Sequence, residues 1–199
     1  FDLTFFLGAS IDLFSGFWYW FARAAAGSFI FLAGISIPLA LHRKNPVSEI
    51  TYLIQRGLFL LGIGLLITLV TCVLFPAFTI WFGIMHALGV FMLIGVFFRN
   101  HLRWSLIAGA IIWISGMLFT LGLFPFPAWV GIFPLTFSTF DYFPLFPWLG
   151  VFLVGLGMSH WLYPSGKPRF PLSIPPNPFT RFLVLCGTNS LWIYLVHQP

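Results

Sequence analysis

The amino-acid sequence predicts an all-α, polytopic transmembrane helical bundle with about six spans. Of its 199 residues, 60% are hydrophobic and only 7% are charged, and the mean hydropathy is +1.01. A soluble fold needs more charge than this to cover its surface, so the composition excludes soluble enzymes, secreted disulfide scaffolds and disordered chains. The apolar residues also fall in runs of about 20, the length at which a helix crosses a bilayer.

Six apolar runs are bounded by proline, glycine, asparagine or charged residues. The proline- and phenylalanine-rich segment 124–147 is too broken for a helix and is predicted to form an apolar cap at one membrane face. The proline-rich segment 164–179 is predicted to be an extended connection. The six predicted spans lie roughly at residues 20–41, 55–75, 79–98, 104–123, 145–163 and 180–196.

Small residues inside the spans are expected to form the contacts between helices. Lipid is as apolar as the helix surfaces, so close backbone approach supplies the packing instead of a hydrophobic drive. The candidates are Ala26, Gly27, Gly34, Gly62, Gly64, Gly109, Gly116, Gly155 and Gly157.

The charged residues predict how the spans are oriented. Eight of the nine Lys and Arg residues fall on one side of the alternating spans, whereas Asp2, Asp12 and Asp141 fall on the other. Cytoplasmic loops carry the excess of Lys and Arg, so the N-terminus of this chain is predicted to lie outside. The basic residues form no continuous stripe, and the expected partner is therefore the lipid bilayer and not nucleic acid.

Neither the ends of the chain nor its cysteines indicate a catalytic or metal-binding role. The chain begins with Phe1 and closes at Pro199 without a polar tail, so we expect one domain over residues 1–199 that is truncated at both ends. Cys72 and Cys186 lie in apolar runs and are predicted to be packing residues, not disulfide or metal ligands. No metal-ligand cluster, P-loop, dinucleotide fingerprint or nucleophile elbow occurs in the sequence, so the expected chemistry is acid–base.

Ionisable side chains within the spans are the candidates for catalysis, because they are costly in hydrocarbon. His86 lies about two turns inside the outer end of its span, and His197 ends the last span near the same face. Two imidazoles at similar depth could share a site for proton transfer, with Asp141 orienting a histidine or binding a sugar hydroxyl. The structural alternatives are a hydrogen bond to a neighbouring helix for each histidine and a solvated loop position for Asp141.

The basic side chains also have two interpretations. Arg23 is the one basic residue off the predicted cytoplasmic side, where it either binds substrate or forms a salt bridge with an outer aspartate. The inner basic residues could bind the phosphates of a cytosolic anionic donor, although membrane topology alone also explains them. The donor-binding candidates are Arg43, Arg56, Lys167 and Arg181.

Five segments spread over nearly the whole chain carry a recognisable combination of motifs: AGSFIFLAGIS at 26–36, RG at 56–57, FGIMH at 82–86, DYFPLFPW at 141–148 and NSLWIYLVHQP at 189–199. Each segment alone is a weak signal, but the aspartate segment at 141–148 and the histidine ending at 189–199 are distinctive in combination. Together the five segments resemble the prokaryotic relatives of the heparan-alpha-glucosaminide N-acetyltransferase catalytic domain, a family of multi-pass membrane acyltransferases. Trp148 and Asn189 lie in these segments and join Arg23 as candidate acceptor-binding residues.

The resemblance implies transfer of an acetyl group from cytosolic acetyl-CoA to a sugar amine or hydroxyl outside a prokaryotic cell membrane, and it is compatible with a homodimer. Either direct transfer or an acetyl-histidine intermediate fits this chemistry. The sequence departs from the family in three ways: it lacks one further N-terminal span, residues 1–41 contain no histidine at the position of the family's catalytic one, and His86 matches a position where the animal enzyme has glutamine. The family's catalytic group is therefore not carried over to this chain. A transporter with a histidine proton relay and, less favoured, haem ligation by His86 and His197 are the alternatives.

Overall fold

The computed structural model describes residues 16–42, 45–120, 141–170 and 177–197. The regular elements of this part of the chain are all helices, with one isolated bridge between two loop residues in place of a sheet, so the predicted all-α class is confirmed. The helices are α1 (Gly16–Leu41), α2 (Pro46–Leu74), α3 (Ile84–Phe98), α4 (Leu102–Thr120), α5 (Leu145–Leu162), α6 (Pro178–Thr188) and α7 (Ser190–His197).

The chain divides into two compact units, Phe1–Lys167 and Pro168–Pro199. The first unit contains α1 to α5, and the second contains α6 and α7. In the second unit the helices meet at Asn189, whose side-chain amide donates to the Leu185 carbonyl at 2.9 Å. The last predicted span, 180–196, is therefore wrong as one continuous helix, because Asn189 ends α6 before α7 begins.

Helix α5 is the centre of the first unit, where α1 and α4 pack along it and α3 contacts it less extensively. Its inward side chains Phe152, Leu153 and Leu156 are fully buried. Close approach to α4 depends on Gly150, because a Cβ there would lie 2.5 Å from the Trp113 nitrogen. Small residues therefore make these contacts, as predicted.

Not every predicted small residue lies at a helix contact. Gly34 on α1 and Gly155 on α5 each lie against the backbone of the other helix. The prediction for Gly62 on α2 is wrong, because a Cβ at that position would meet nothing within 4 Å. The difference arises because, among the described helices, α2 makes its extensive contact with α3, and Gly62 is exposed.

The helices of the first unit run in alternating directions. Gly57 of α2 lies against Gly89 of α3, whereas Gly64, further along α2, lies against the earlier His86, so this pair is antiparallel. Helices α3 and α5 run parallel, because Phe82 just before α3 pairs with Tyr142 just before α5. These alternating directions agree with a chain that crosses the membrane at each helix.

Three helical segments are long and apolar enough to span a membrane: Gly16–Leu41, Val47–Leu74 and Leu145–Leu162. Helices α3 and α4 are apolar but shorter. Many large apolar side chains on the helix surfaces are exposed, including Leu65, Leu66 and Leu69 of α2, as is expected where lipid is the solvent. The chain is an integral membrane protein.

Two span boundaries differ from the sequence prediction by five residues or more. Helix α2 begins at Pro46, nine residues before the predicted start, because Asn45 caps it by accepting from the Ser48 N–H at 2.9 Å. Helix α3 begins at Ile84, five residues after the predicted start, and the preceding segment 79–83 is not helical. Most of the predicted cap at 124–147 lies outside the described residues.

Candidate active site

His86 is the third residue of α3, and Gly83 is the N-cap of that helix. Its side chain is only 5% exposed, whereas His42, His101 and His160 are exposed. His86 therefore faces the interior of the protein, as the cost of an imidazole in lipid requires.

Both ring nitrogens of His86 have hydrogen-bond partners. The Gly83 N–H donates to Nδ1 at 3.3 Å, and Nε2 lies 3.3 Å from the Thr68 hydroxyl. A backbone N–H can only donate, so Nδ1 carries a lone pair and the neutral ring carries its hydrogen on Nε2. Thr68 donates its own hydrogen to the Ile80 carbonyl at 2.6 Å, which leaves its oxygen free to accept from Nε2.

The space for the imidazole is made by Gly64, one turn before Thr68 on α2. A Cβ on Gly64 would lie 2.8 to 2.9 Å from three atoms of the His86 ring. The ring also stacks on Phe82, with the ring centroids 5.6 Å apart. The ring is thus held by packing as well as by hydrogen bonds.

The non-helical segment 79–83 places polar backbone groups inside an apolar bundle, where each needs a partner. Thr71 of α2 accepts from the Ile80 N–H at 3.1 Å, and Thr68 donates to the carbonyl of the same residue. The Phe82 carbonyl accepts from the Phe143 N–H at 3.0 Å. Side chains of α2 and the backbone before α5 therefore stabilise the entry into α3.

Asp141 lies at the same helix end as His86. Its Oδ2 accepts from the Ile84 N–H at 3.0 Å, and a Cβ on Gly83 would lie 2.5 Å from that oxygen. A carboxylate is favoured here, because a helix N-terminus carries partial positive charge and unpaired N–H groups. The structure thus brings two predicted catalytic residues together, while the orienting of His86 by Asp141 stays a prediction.

Aromatic residues follow Asp141 at the entry to α5. Burial raises the pKa of the Tyr142 phenol from 10.0 to about 12. Trp148 is 8% exposed; its ring lies 5.2 Å from that of Phe143, and a Cβ on Gly27 of α1 would lie 3.7 Å from it. Trp148 therefore packs where α1 and α5 meet, and its role in acceptor binding stays a prediction.

Arg23 lies on the exposed side of α1, in its second turn. Its guanidinium sits 4.5 Å from the centre of the Tyr19 ring, a cation–π contact within its own helix. Asp2 and Asp12, two of its predicted partners, lie outside the described residues. Substrate binding by Arg23 is untested by this geometry.

The candidate donor-binding residues are distributed between both units. Arg56 is exposed on α2 and lies eight residues before Gly64, which corresponds to about 12 Å along the helix axis from the level of His86. Lys167 is exposed after a turn whose Gly166 packs against His42 at the end of α1. Arg43 lies outside the described residues, and the exposed Arg181 belongs to the second unit.

His197 and Asn189, the remaining candidates, also belong to the second unit. His197 is the last residue of α7, and its side chain is not among those described. Asn189 uses its amide to cap α6, as given above. The shared site predicted for His86 and His197 stays a prediction.

Sequence reasoning missed Thr68 and Thr71, which hold His86 and the segment before it. It named Gly64 as a helix-contact residue, as the structure has it, but did not place it against His86. Threonine and glycine are common in membrane helices, so their presence alone carried no signal. The spacing did contain one: Gly64, Thr68 and Thr71 follow each other by four and three residues and therefore share one face of α2. Only the pairing of α2 with α3 shows what that face contacts.

The whole sequence, residues 1–199, matches the family described as heparan-alpha-glucosaminide N-acetyltransferase, catalytic. No curated protein and no solved structure matches the chain. The match extends through both units and includes His86 with its surrounding residues. The chain belongs to the heparan-alpha-glucosaminide N-acetyltransferase catalytic-domain family.

Proposed function

We propose that the chain is a membrane acetyltransferase that moves an acetyl group from cytosolic acetyl-CoA to an amine or hydroxyl of a sugar on the other side of the membrane. The observation that carries this proposal is the match over the whole chain to a catalytic domain named for acetyl transfer. The buried, hydrogen-bonded imidazole of His86 supports a place for the chemistry within an otherwise apolar bundle.

His86 acts in this proposal as the general base, through the Nδ1 lone pair. The acceptor's N–H or O–H replaces the Gly83 N–H at Nδ1, so Nδ1 keeps a donor while the Gly83 N–H gives up its bond to the ring. Nδ1 takes the acceptor's proton as the acceptor oxygen or nitrogen bonds to the thioester carbonyl. The carbon–sulfur bond then breaks, and the proton passes from His86 to the departing thiolate.

Two neighbours support the charge that His86 gains during transfer. The Nε2–H continues to donate to Thr68, and the Asp141 carboxylate at the same helix end offsets the positive imidazolium. The α3 N-terminus alone would oppose that charge, because it is itself partially positive. An acidic residue at this position is therefore a chemical requirement of the proposed mechanism.

The donor is proposed to enter from the opposite end of α2. Arg56 supplies a phosphate contact about 12 Å along the helix from the level of His86, so the phosphates and the thioester occupy different depths. A guanidinium suits this role because it binds phosphate through paired N–H groups. Arg43, Lys167 and Arg181 stay predicted donor contacts.

The test of the proposed function is acetyl-CoA turnover in proteoliposomes with amino-sugar acceptors. His86→Gln is expected to lower kcat by about 10²- to 10⁴-fold, the contribution of a general base. The matched control is His101→Gln, because His101 is an exposed histidine of the same unit. Unchanged turnover in His86→Gln would remove His86 from the mechanism, and acceptor flux without acetyl-CoA consumption would favour a transporter.

A further inference from the structure

The hydroxyl of Thr68 is shared between a backbone carbonyl and the candidate catalytic imidazole. It donates its single hydrogen to Ile80 O at 2.6 Å, an acceptor that cannot donate in return. The lone pairs of Oγ1 therefore remain for His86 Nε2, 3.3 Å away. The direction of both bonds follows from this chemistry without any assumption about the imidazole.

We propose that Thr68 is a positioning residue, whose hydroxyl accepts the Nε2–H of His86 and so holds the Nδ1 lone pair toward the acetyl acceptor. The proposal deepens the proposed function and rests on it for the catalytic role. In the resting protein Gly83 and Thr68 both favour the same tautomer. When the acceptor displaces the Gly83 N–H, the hydrogen bond to Thr68 remains and still fixes the His86 tautomer.

The arrangement follows a general rule for histidine bases. The nitrogen that does not react must keep a hydrogen-bond partner, because that partner selects the tautomer and stabilises the imidazolium. Thr68 can fill this position because it lies four residues after Gly64, on the face of α2 where the missing side chain admits the ring. Packing and hydrogen bonding from one face of α2 thus act on the same ring.

Thr71 provides a matched control for the structural part of this role. Its hydroxyl accepts from the Ile80 N–H at 3.1 Å, so it supports the same segment as Thr68 through the other backbone group of the same residue. The described hydrogen bonds of Thr71 otherwise go to the carbonyls of Ile67 and Thr68 within α2, and none goes to His86. A loss of activity that occurs on replacing Thr68 but not on replacing Thr71 therefore reports on the His86 imidazole and not on the support of segment 79–83.

The experiment compares Thr68→Val, Thr68→Ser and Thr71→Val in the full chain, reconstituted in lipid nanodiscs with ¹⁵N-labelled histidine. His86 resonances are assigned by their loss in His86→Gln. The wild type and Thr68→Ser are expected to show a protonated Nε2 with a downfield, slowly exchanging proton. Thr68→Val is expected to lose that protected proton, whereas Thr71→Val keeps it.

Turnover provides the second readout. Thr68→Val is expected to lower kcat by about 10- to 100-fold, the size of effect known for hydrogen-bond partners of metal-bound histidines, with KM for acetyl-CoA unchanged. Thr68→Ser is expected to restore most of kcat. Equal losses of kcat in Thr68→Val and Thr71→Val, or an unchanged Nε2 proton in Thr68→Val, would overturn the proposal.

The two proposals fail in different ways. Nuclear magnetic resonance reads the His86 tautomer without turnover, so a Thr68-dependent tautomer in a protein that transfers no acetyl group contradicts only the proposed function. A wild-type spectrum with the proton on Nδ1 contradicts the role of Thr68 even if Thr68→Val does not fold. Turnover that requires His86 but is insensitive to Thr68 contradicts only the positioning role.

Discussion

His86 shows how a polar side chain is tolerated inside this apolar bundle. Burying an imidazole without partners would cost several kcal/mol, whereas here one nitrogen accepts from Gly83 and the other faces Thr68. The same bonds that satisfy the ring also select its tautomer. Two interpretations of His86 are therefore compatible. The hydrogen bond to a neighbouring helix and the catalytic role both use the same geometry.

Gly64→Ala is expected to displace the His86 ring, because the added Cβ would lie 2.8 to 2.9 Å from its atoms. Overpacking of this kind costs about 1–3 kcal/mol of stability. The expected result is a lower melting temperature in detergent together with reduced acetyl transfer. Gly62→Ala is the matched control, two residues away on α2 with open space around it, and equal effects of both variants would contradict this account.

Tyr142 gives a pH prediction at the same scale. Its pKa is about 12 in the folded chain and close to 10 when unfolded, so the unfolded chain loses this proton first as the pH rises. The contribution of the protonated Tyr142 to the free energy of unfolding is therefore complete below about pH 10 and is lost between about pH 10 and 12.

Absorbance titration of phenolate measures this difference directly. The spectrum of the wild type minus that of Tyr142→Phe should show one phenol that titrates near pH 12, well above an ordinary tyrosine. A difference spectrum that titrates near pH 10 would show that Tyr142 is not buried as described.

At the scale of elements, α2 and α3 are joined at both ends. One end carries the contacts of Thr68, Thr71 and Gly64 with the entry to α3, and the other carries an ion pair between Glu49 and Arg99. Arg99 Nε lies 3.4 Å from Glu49 Oε2, close enough for charge attraction, but no hydrogen bond of this nitrogen is found among the described residues. We therefore treat the contact as an ion pair.

Glu49→Gln is expected to weaken this end of the helix pair. Both side chains are largely buried, at 17% and 20% exposure, so the pair should contribute more than an exposed one, about 1–2 kcal/mol. A double-mutant cycle with Arg99→Gln, measured by denaturant unfolding in detergent, isolates the coupling. A coupling near zero would show that the two charges are independently solvated.

At the scale of the whole molecule, the alternating helices of the first unit place successive connections at opposite ends. The positive-inside rule predicts that the connection between α1 and α2 is cytoplasmic and that the segment between α2 and α3 is outside. Val47 and Trp81 mark these two ends, and both side chains are exposed, at 75% and 56%.

Single cysteines at these positions test the orientation in a chain that lacks Cys72 and Cys186. In right-side-out vesicles, a membrane-impermeant maleimide should label Trp81→Cys directly. Val47→Cys should react only after the vesicles are permeabilised. The reverse order of labelling would place the N-terminus of this chain in the cytoplasm and invert the proposed sides of donor and acceptor.

The sequence predicted some features of the structure better than others. The positions of α1, α4 and α5 followed from apolar runs, because lipid solvation acts on each helix separately. The start of α2 and the late start of α3 did not, since a cap at Asn45 and a non-helical segment held by threonines depend on local hydrogen bonds. Asp141 and His86 were both chosen from the sequence, but 55 residues separate them, and no pattern along the chain predicts their shared helix end.

The amino-acid sequence by itself determined that this is an α-helical integral membrane protein of a particular acetyltransferase family, because composition and the order of motifs are properties of the linear chain. Only the tertiary structure decided which nitrogen of His86 carries the lone pair. That choice depends on the Thr68 hydroxyl and the Gly83 N–H meeting one ring, and they meet because α2 and α3 pack antiparallel with Gly64 leaving room between them.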